Sequence, residues 1–557
     1  MAYVEGEDRG QMALFPASIE EYIDQDSPVR VIDAFVAGLD LSKLGFSKAR
    51  PAETGRPAYD PRDLLKLYLY GYFNGIRSSR ALMRETQRNI ELFWLLGRLQ
   101  PDHRTISDFR KDNAAALRQT FLAFVRVCNK QKLYQKRLLA IDGTKLRANN
   151  AKRHAHNKPQ LEDKINRIDE HIKKWMRDMD KRDAEEEDDA PGLSKQQMQE
   201  LIKELSQRKG KYQDYIRQME ESGEHQLLTT DPQARLMQSK DGQHPSYNLQ
   251  TAVDADSHLI ADFQVTNHCN DMGLLHDVAD GARKNLNVET VEVVADKGYD
   301  SNADAKNCLL DGIISQAALR YDAEERVLVL DYKPSEIDEE TKASEKPEDI
   351  QKCLHAGVLP DCYEDKDVHI EVQTADDSGK NLAYFVRNED NTVTCPMGNI
   401  MTPVKRRGAN TVYQNRRACH QCKHRCGRFK DYKIVQFADG TQAVPVKMPA
   451  KRDISCKLTQ LPPGMEVNPG NHSLYRADSG GRRRVVIIVR CNRDKLRTRK
   501  ETVEHPFGTL KRAMGFGYFL LRGIEKTTAE AALCCTAYNL KRAINMVGAT
   551  NLIAAMS

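Results

Sequence analysis

Two short apolar runs, each followed at once by an aspartate, constrain the fold more than any other feature of this chain. The first run is residues 138–141, which lead into Asp142, and the second is residues 291–295, which lead into Asp296. Runs of this length and composition are typical of strands buried in a sheet, and the glycine that closely follows each aspartate is a turn signal. We therefore predict two buried strands that each deliver an aspartate at or near the strand end.

A third acid, Glu504, lies in a stretch that reads as helical, seven residues before Lys511. That spacing is close to two helical turns, so the carboxylate and the ammonium would share a face. Carboxylate oxygens are ligands that Mg²⁺ prefers, and paired metal ions assist phosphodiester displacement. Asp142, Asp296 and Glu504 are therefore candidate ligands of Mg²⁺ or Mn²⁺, although a single Asp after an apolar run is more often a turn residue or a helix cap.

Positive charge is concentrated around Glu504. The formal net charge of the 557-residue chain is only +5, but residues 482–512 contain eleven Lys or Arg against three acids. A basic stripe of this kind binds a phosphate backbone, although most charge runs are solvated faces. Its position beside a candidate metal ligand favours phosphate binding.

Residues 1–132 read as an all-helical domain. Ser27-Pro28 is a helix start signal, Gly38 is a stop signal, and Asp60-Pro61 repeats the start signal. Arginines between the apolar positions are expected to be exposed, as in a helix-turn-helix unit: Arg77, Arg80, Arg84 and Arg88. Small helical bundles are also common in proteins that do not bind DNA, so the pattern alone fits a DNA-binding domain or a domain with another role.

Residues 133–320 carry both aspartate strands and a polar interruption. Residues 247–253 and 259–265 predict a β-hairpin around a turn at 254–257. Residues 155–228 contain two helical apolar faces, which predict an antiparallel helical hairpin. Two interpretations of this arm are open. It packs on a partner, which is a second protomer or DNA, or it is an intramolecular coiled coil without a partner.

Residues 321–485 are predicted to form a second insertion, acidic at its start and cysteine-rich further on. The cysteines of interest fall in two groups: Cys395, then Cys419, Cys422 and Cys426. Four thiolates are a typical ligand set for structural Zn²⁺, and the Pro and Gly beside the first cysteine suit the turn of such a site. A neighbouring histidine replacing one thiolate, or a set of reduced surface thiols, are the alternatives.

Residues 486–557 carry the third candidate acid, Glu504. Pro506 is poorly tolerated inside a helix, so we expect the helix of Glu504 to begin near Val503, with Pro506 in its first turn. A final helix at 528–547 is expected to bury the pair Cys534-Cys535. No apolar run approaches the roughly 20 residues needed to cross a bilayer, and thirteen cysteines without a signal-peptide pattern indicate a reducing, cytoplasmic setting.

Several motifs give the chain a resemblance to bacterial insertion-sequence transposases of the DDE type. They are AIDGTK at 140–145, YNLQTAVD at 247–254, VADKGY at 294–299, TVEHPFG at 502–508 and AYNLKR at 537–542. Residues 54–111 also resemble the helical domain of these enzymes. Related transposases often carry Tyr, Arg, Glu and Lys in the pattern Y-x2-R-x3-E-x6-K. The corresponding residues here are Arg497, Lys500, Glu504 and Lys511, so the tyrosine is absent and a lysine replaces the arginine.

The resemblance implies an α/β fold, with an RNase H-like mixed-sheet catalytic core, the all-α N-terminal domain, and the two insertions. It implies metal-dependent cleavage at the ends of a mobile element and strand transfer into target DNA. Asp142, Asp296 and Glu504 would hold the metals, and Lys511, Lys500 and Arg497 would contact phosphate.

The partners implied by the resemblance are double-stranded DNA, both as terminal inverted repeats and as target, and a second copy of the chain on that DNA. The protein would then be associated with the nucleoid. Two other functions fit the sequence: an RNase H-like nuclease that cleaves without joining, and a non-enzymatic DNA-binding regulator derived from a transposase.

Overall fold

The computed structural model of the protein divides into two compact units. The first is Met1–Asp271 with Arg499–Ser557, and the second is Met272–Thr498. No helix among the described residues is both long and apolar enough to cross a membrane. The described residues are 18–51, 57–136, 138–185, 193–224, 226–239, 241–319, 325–374, 383–408, 410–422, 434–438, 441–446, 465–467, 474–476 and 483–556.

The first unit begins with short helices whose starts are set by capping side chains. Ser27 accepts a hydrogen bond from the N–H of Val29, and Asp60 accepts one from the N–H of Arg62. The start signals at Ser27-Pro28 and Asp60-Pro61 are thereby confirmed. The helices are α1 (Pro28–Ala37), α2 (Leu41–Leu44), α3 (Pro61–Phe73), α4 (Ser79–Glu85), α5 (Ile90–Leu95), α6 (His103–Asp112) and α7 (Ala114–Lys130).

One long strand organises the sheet of the first unit. This strand, β5, pairs antiparallel with β1, β4 and β6. Asp254 ends it and caps the following turn by accepting from the N–H of Ser257, so the predicted hairpin is confirmed. The strands of this unit are β1 (Leu139–Arg147), β2 (Ala155–Asn157), β3 (Gln226–Leu228), β4 (Arg235–Ser239), β5 (Gly242–Asp254) and β6 (Ile260–Thr266).

Two long helices, α8 (Lys158–Glu185) and α9 (Lys195–Ser222), lie between β2 and β3. Ion pairs join Lys158 to Glu220 and Asp169 to Lys209, each at 2.6 Å. Because the start of α8 meets the end of α9, the helices run antiparallel, as predicted. That this arm is an insertion into a catalytic core stays a prediction.

The C-terminal helices are α15 (Arg493–Gly508), α16 (Ile524–Val547) and α17 (Ala549–Met556), with a π-helical turn at Thr509–Ala513. The part of α15 from Arg499 onward belongs to the first unit. Pro506 lies inside α15, so the predicted start near Val503 was wrong. The buried pair Cys534-Cys535 on α16 is confirmed.

A buried ion pair ties the N-terminal helices to α16 within the first unit. Nη1 of Arg110 lies 3.1 Å from Oε1 of Glu530, and the two side chains are 5% and 0% exposed. Burial raises the pKa of Glu530, and the positive charge of Arg110 opposes that shift. Arg77 is also buried and donates to the backbone carbonyls of Gly515 and Tyr518. The expectation that Arg77 is exposed was therefore wrong.

The second unit contains a parallel strand pair and several antiparallel sheets. Strands β7 (Val291–Ala295) and β8 (Ile313–Ala317) are parallel and are connected through α11 (Asn302–Leu310). Its other helices are α10 (Leu275–Leu286), α12 (Glu339–Ala343), α13 (Pro347–Ala356) and α14 (Arg416–Gln421).

Two apolar clusters support the antiparallel sheets of this unit. One cluster joins Leu309 of α11 to Leu328, Ile350 and Ile487, and the other surrounds Tyr413. The strand orders are β10-β19-β9, β15-β14-β13-β12-β11-β16 and β17-β18. These strands are β9 (Glu325–Asp331), β10 (Val368–Thr374), β11 (Ala383–Arg387), β12 (Val393–Thr394), β13 (Ile400–Arg407), β14 (Asn410–Gln414), β15 (Ile434–Ala438), β16 (Ala443–Val446), β17 (Met465–Val467), β18 (Leu474–Arg476) and β19 (Arg483–Arg490).

Candidate active site

Asp142 lies in the middle of a strand rather than at its end. Strand β1 continues to Arg147, and Asp142 pairs with Thr251 of β5. The prediction of a turn after Asp142 was wrong, because β5 extends far enough to pair with every residue of β1 as far as Arg147, opposite Ser246. These ladder hydrogen bonds outweigh the local turn signal of Gly143. The Asp142 side chain is 26% exposed, and its Oδ1 accepts from the N–H of Gly143 at 2.8 Å.

The other oxygen of Asp142 faces a cation that the sequence motifs did not single out. Nη1 of Arg499, on α15, lies 3.1 Å from Oδ2 of Asp142, and the Arg499 side chain is 16% exposed. Arg499 stands four residues before the buried Val503, so the two share a face of the helix. If the sequence had been interpreted as a helix from Arg493 onward, this i, i+4 spacing would have predicted that Arg499 faces the interior.

Glu504 lies on the same helix, but its carboxylate is exposed. Its ion-pair partner is Lys500, at 4.0 Å, and the two side chains are 67% and 73% exposed. Arg497 is 84% exposed and lies 3.5 Å from Asp494. Lys511 lies in the π-helical turn that follows. The predicted shared face of Glu504 and Lys511 assumed a regular helix, and the π-helical turn changes that spacing.

A network of polar contacts accommodates Pro506 inside α15. Proline has no N–H to donate to Thr502, four residues earlier. Nδ1 of His258 lies 3.4 Å from that carbonyl oxygen. The ring of His258 also stacks on His505 at a centroid distance of 5.2 Å, and Nδ1 of His505 lies 3.1 Å from the hydroxyl of Tyr538. Burial, with help from Arg542 and His258, lowers the pKa of His505, which favours a neutral ring beside Glu504.

The AYNLKR motif lies on α16 and holds the β5–β6 turn. Nδ2 of Asn539 donates to the carbonyl of Ile260 at 2.8 Å, and its Oδ1 accepts from the N–H of Ile260 at 2.9 Å. The hydroxyl of Tyr538 donates to the carbonyl of His258 at 2.8 Å. Asn539 is fully buried and replaces a missing strand partner for Ile260. The motif therefore has a positioning role in this structure.

A second polar network surrounds Asp271. Its Oδ1 accepts from Nδ2 of Asn248 at 2.7 Å, from Nε2 of Gln250 at 2.8 Å and from Nζ of Lys145 at 3.0 Å. Lys145 belongs to β1, and the two amides belong to β5. The carboxylate of Asp271 therefore connects β1 and β5 in the part of the sheet that contains Asp142.

The glycine after Asp142 leaves room for this network. A Cβ added at Gly143 would overlap Nε2 of Gln250 and would lie 2.8 Å from Oδ1 of Asp271. Because strand side chains alternate, Gly143 faces the network while Asp142 faces the other side of the sheet. The glycine that suggested a turn thus serves close packing.

Asp296 belongs to the second unit and does lie at a strand end, as predicted. Strand β7 ends at Ala295, and Oδ1 of Asp296 accepts from the N–H of Lys297 at 2.7 Å. Asp296 is exposed and caps a short 3-10 helix, Lys297–Tyr299. In the same unit, Nζ of Lys495 lies 2.6 Å from Oε1 of the buried Glu292, which fixes the start of α15 to β7.

The described cysteines of the predicted zinc site lie near turns. Sγ of Cys395 accepts from the N–H of Asn399 at 3.3 Å. Cys419 lies on α14 and Cys422 directly after it, and Cys422 lines one small cavity with Asn399. Cys426 lies outside the described residues. Within the described ranges, no group of three or more His, Cys, Asp or Glu is arranged to hold a metal ion.

Family comparisons identify the class of protein. Residues 17–112 match a family described as "Transposase domain (DUF772)". Residues 133–357 and 487–544 match two family models, each described as "Transposase DDE domain". The chain belongs to the DDE transposases of insertion sequences. It is a DNA transposase, an enzyme that cleaves DNA and transfers strands.

The remaining comparisons add little. No curated protein matches the chain. Among solved structures, the chain is similar to one described as "Cryo-EM structure of piggyBac transposase synaptic complex with hairpin DNA (SNHP)", with 8% identity, a TM-score of 0.28, and coverage of 96% of this chain and 80% of that one. Identity and TM-score are too low for this likeness to bear on the fold.

Proposed function

We propose that Asp142, Asp296 and Glu504 are the catalytic carboxylates of this transposase and hold Mg²⁺ or Mn²⁺. The observation that carries the proposal is the partly exposed carboxylate of Asp142, whose Oδ2 already attracts a cation, the guanidinium of Arg499. The donors would be hard carboxylate oxygens, the ligand type that Mg²⁺ and Mn²⁺ take, and the three carboxylates form no assembled metal-binding group within the described residues.

The metals, when bound, supply activation of the attacking oxygen and stabilisation of the leaving oxygen. The protein's part is to hold the carboxylates and the phosphates. Strand β1 gives Asp142 a rigid base, and α15 carries Glu504 among exposed cations. We assign phosphate contacts to Lys511, Lys500 and Arg497.

The catalytic core is proposed to be RNase H-like. The antiparallel strands β1, β5 and β6 in the first unit, and the β7–α11–β8 crossover in the second, are the supporting elements. In this assignment the core comprises residues 133–320 and 486–557, preceded by the helical domain at 1–132. The arm at 155–228 and the segment 321–485 interrupt it.

The test is cleavage and joining of duplexes that carry the DNA flanking the gene. We expect Asp142→Asn, Asp296→Asn and Glu504→Gln each to lower both reactions by at least about 10³-fold while end binding persists, because the metal ligand is lost but the shape is kept. Asp163→Asn, an exposed change on α8, is the matched control. Near-normal joining by one variant would remove that residue from the site.

Two further outcomes of this assay correspond to the other functions. A wild-type chain that cleaves without joining would be a nuclease, and one that binds ends without cleaving would be a regulator. We expect both cleavage and joining, as in the family.

The DNA partners are proposed to be the terminal inverted repeats and the target, bound by a homodimer on the nucleoid in the cytoplasm. The thirteen cysteines of the chain support a reducing compartment. The exposed arginines Arg80, Arg84 and Arg88 are the proposed end-binding residues of the helical domain.

End binding is best measured on the full chain, because Glu530 lies against the N-terminal helices. A fragment ending near residue 132 would lack that partner. In fluorescence anisotropy with the terminal repeat, Arg84→Ala should reduce the salt slope by about 0.9 if it removes one phosphate contact. Lys352→Ala, an exposed change on α13, is the control. Equal slopes would place end recognition elsewhere.

A structural zinc at Cys395, Cys419, Cys422 and Cys426 is also proposed. The backbone N–H of Asn399, donated to Sγ of Cys395, places that sulfur in a turn, as the proposal requires. Elemental analysis of protein purified without chelator should find about one zinc per chain. Metal-free protein with a folded insertion would contradict it.

A further inference from the structure

Arg499 belongs to none of the motif positions that the family resemblance provides, yet it contacts the first candidate metal ligand. Its guanidinium lies 3.1 Å from Oδ2 of Asp142, and both side chains are mostly buried. By contrast, Arg497 and Lys500, which occupy the motif positions, are largely exposed. The cation nearest to Asp142 is therefore one that the motif does not predict.

The two oxygens of Asp142 are both engaged in this arrangement. Oδ1 accepts from the N–H of Gly143, and Oδ2 faces Arg499. A charge-assisted contact of this kind is stronger than a neutral hydrogen bond. A divalent cation at Oδ2 would meet the positive charge of Arg499 at close range, and in a partly buried site that repulsion is poorly screened. The guanidinium and the metal therefore compete for Asp142.

DNA offers Arg499 another partner. The guanidinium binds a phosphate through two parallel N–H groups, a geometry matched to phosphate oxygens. The exposed cations Arg497 and Lys500 lie close to Arg499 in the chain and would attract a phosphate backbone toward this part of α15.

We propose that Arg499 is a built-in counter-ion of Asp142 that a DNA phosphate draws away, so that metal binding is coupled to DNA binding. The inference rests on the proposed role of Asp142 as a metal ligand. Without DNA, Arg499 neutralises Asp142 and keeps its affinity for metal low. With DNA, Arg499 turns to the phosphate and Asp142 becomes available. By linkage, metal must then tighten DNA binding by the same factor.

The first experiment is a titration of full-length, DNA-free protein with Mn²⁺, followed by the electron paramagnetic resonance signal of the free ion. Arg499→Gln and Arg499→Met remove the charge, and the second keeps an apolar stem of similar length. Both should bind Mn²⁺ about tenfold more tightly than wild type, the factor expected for one charged hydrogen bond. Arg499→Lys keeps the charge and should bind more weakly than either neutral variant.

Matched controls separate this effect from a general change in charge. Arg167→Gln removes an arginine that pairs with Asp163 at 2.8 Å on α8, and it should leave Mn²⁺ affinity unchanged. Thermal melting in EDTA verifies that each variant is folded. If one neutral variant does not fold, the other carries the measurement.

The second experiment repeats the titration with a duplex carrying the DNA that flanks the gene. The duplex without protein measures the Mn²⁺ bound by DNA alone, which is subtracted. Wild type should gain about tenfold in Mn²⁺ affinity on adding DNA. The neutral Arg499 variants should gain much less, since their Asp142 is already available.

The outcomes distinguish this inference from the proposed function. If Asp142→Asn binds Mn²⁺ as wild type does, Asp142 is not a metal ligand and the catalytic assignment fails. If Asp142→Asn loses Mn²⁺ but the neutral Arg499 variants bind it like wild type without DNA, the counter-ion role alone is overturned. An equal gain with DNA in wild type and the neutral variants would overturn the coupling.

Discussion

Asp142 and Asp296 follow similar apolar runs but are held in different ways. Asp142 lies within a paired strand, beside the Arg499 guanidinium and on the reverse side from a polar network around Asp271. Asp296 is exposed beyond the end of β7, where it accepts a hydrogen bond from the backbone N–H of Lys297 and caps a 3-10 turn. Distant residues therefore contact the first position, whereas the second serves as a local helix cap.

The largest expected effect comes from removing Asn539, which holds β6 and, through β5, supports the strand of Asp142. Asn539→Ala leaves the buried N–H of Ile260 without its side-chain acceptor and leaves its C=O with the Tyr134 hydroxyl as donor, which should lower the free energy of unfolding by about 3 kcal/mol. Chemical denaturation measures it. Asn551→Ala, which removes an exposed contact on α17, should change stability little. Equal effects would show that the Asn539 contacts do not support the hairpin.

A smaller loss is expected from filling the space at Gly143. Gly143→Ala should destabilise the protein by about 2 kcal/mol, because its Cβ overlaps the amide of Gln250. Gly210→Ala is the matched control, since Gly210 is in α9 with open space around its Cβ position. That control should be neutral or stabilising. A stable Gly143→Ala protein would mean that the network moves easily.

The smallest expected losses of stability are those of substitutions at the two aspartates themselves. Asp142→Asn weakens the contact with Arg499 and should cost about 1 kcal/mol of stability. Asp296→Asn should cost only about a few tenths of a kcal/mol, because Asn caps a helix as well as Asp does. Thermal melting of both variants without divalent metal tests the difference. If Asp296→Asn were the less stable protein, the contrast between the two positions would be reversed.

Local signals predicted those parts of the fold that local interactions decide. The helix starts at Ser27-Pro28 and Asp60-Pro61, the hairpin after Asp254, and the strand end before Asp296 each depend on residues close together in the chain. Capping and turn hydrogen bonds of this kind are short-range, so sequence reading recovers them.

Distant contacts decided the parts that sequence reading missed. Strand β1 passes through Asp142 because β5, about a hundred residues later, pairs along its whole length. Arg499 meets Asp142 across a separation of 357 residues. Pro506 is accommodated within α15 beside a histidine from the β5–β6 turn. For the candidate site, the sequence indicated which residues to propose, and their assignment stays a prediction, whereas their neighbours were found only in the fold.

The Arg110–Glu530 pair has a consequence for how the protein is made. During synthesis the helix of Arg110 emerges first, yet the carboxylate that neutralises Arg110 emerges only once Glu530 has been added. A chain that stops before α16 leaves Arg110 without its buried partner, a condition that costs several kcal/mol in general. Prematurely terminated copies would therefore be poorly folded substrates for cellular proteases.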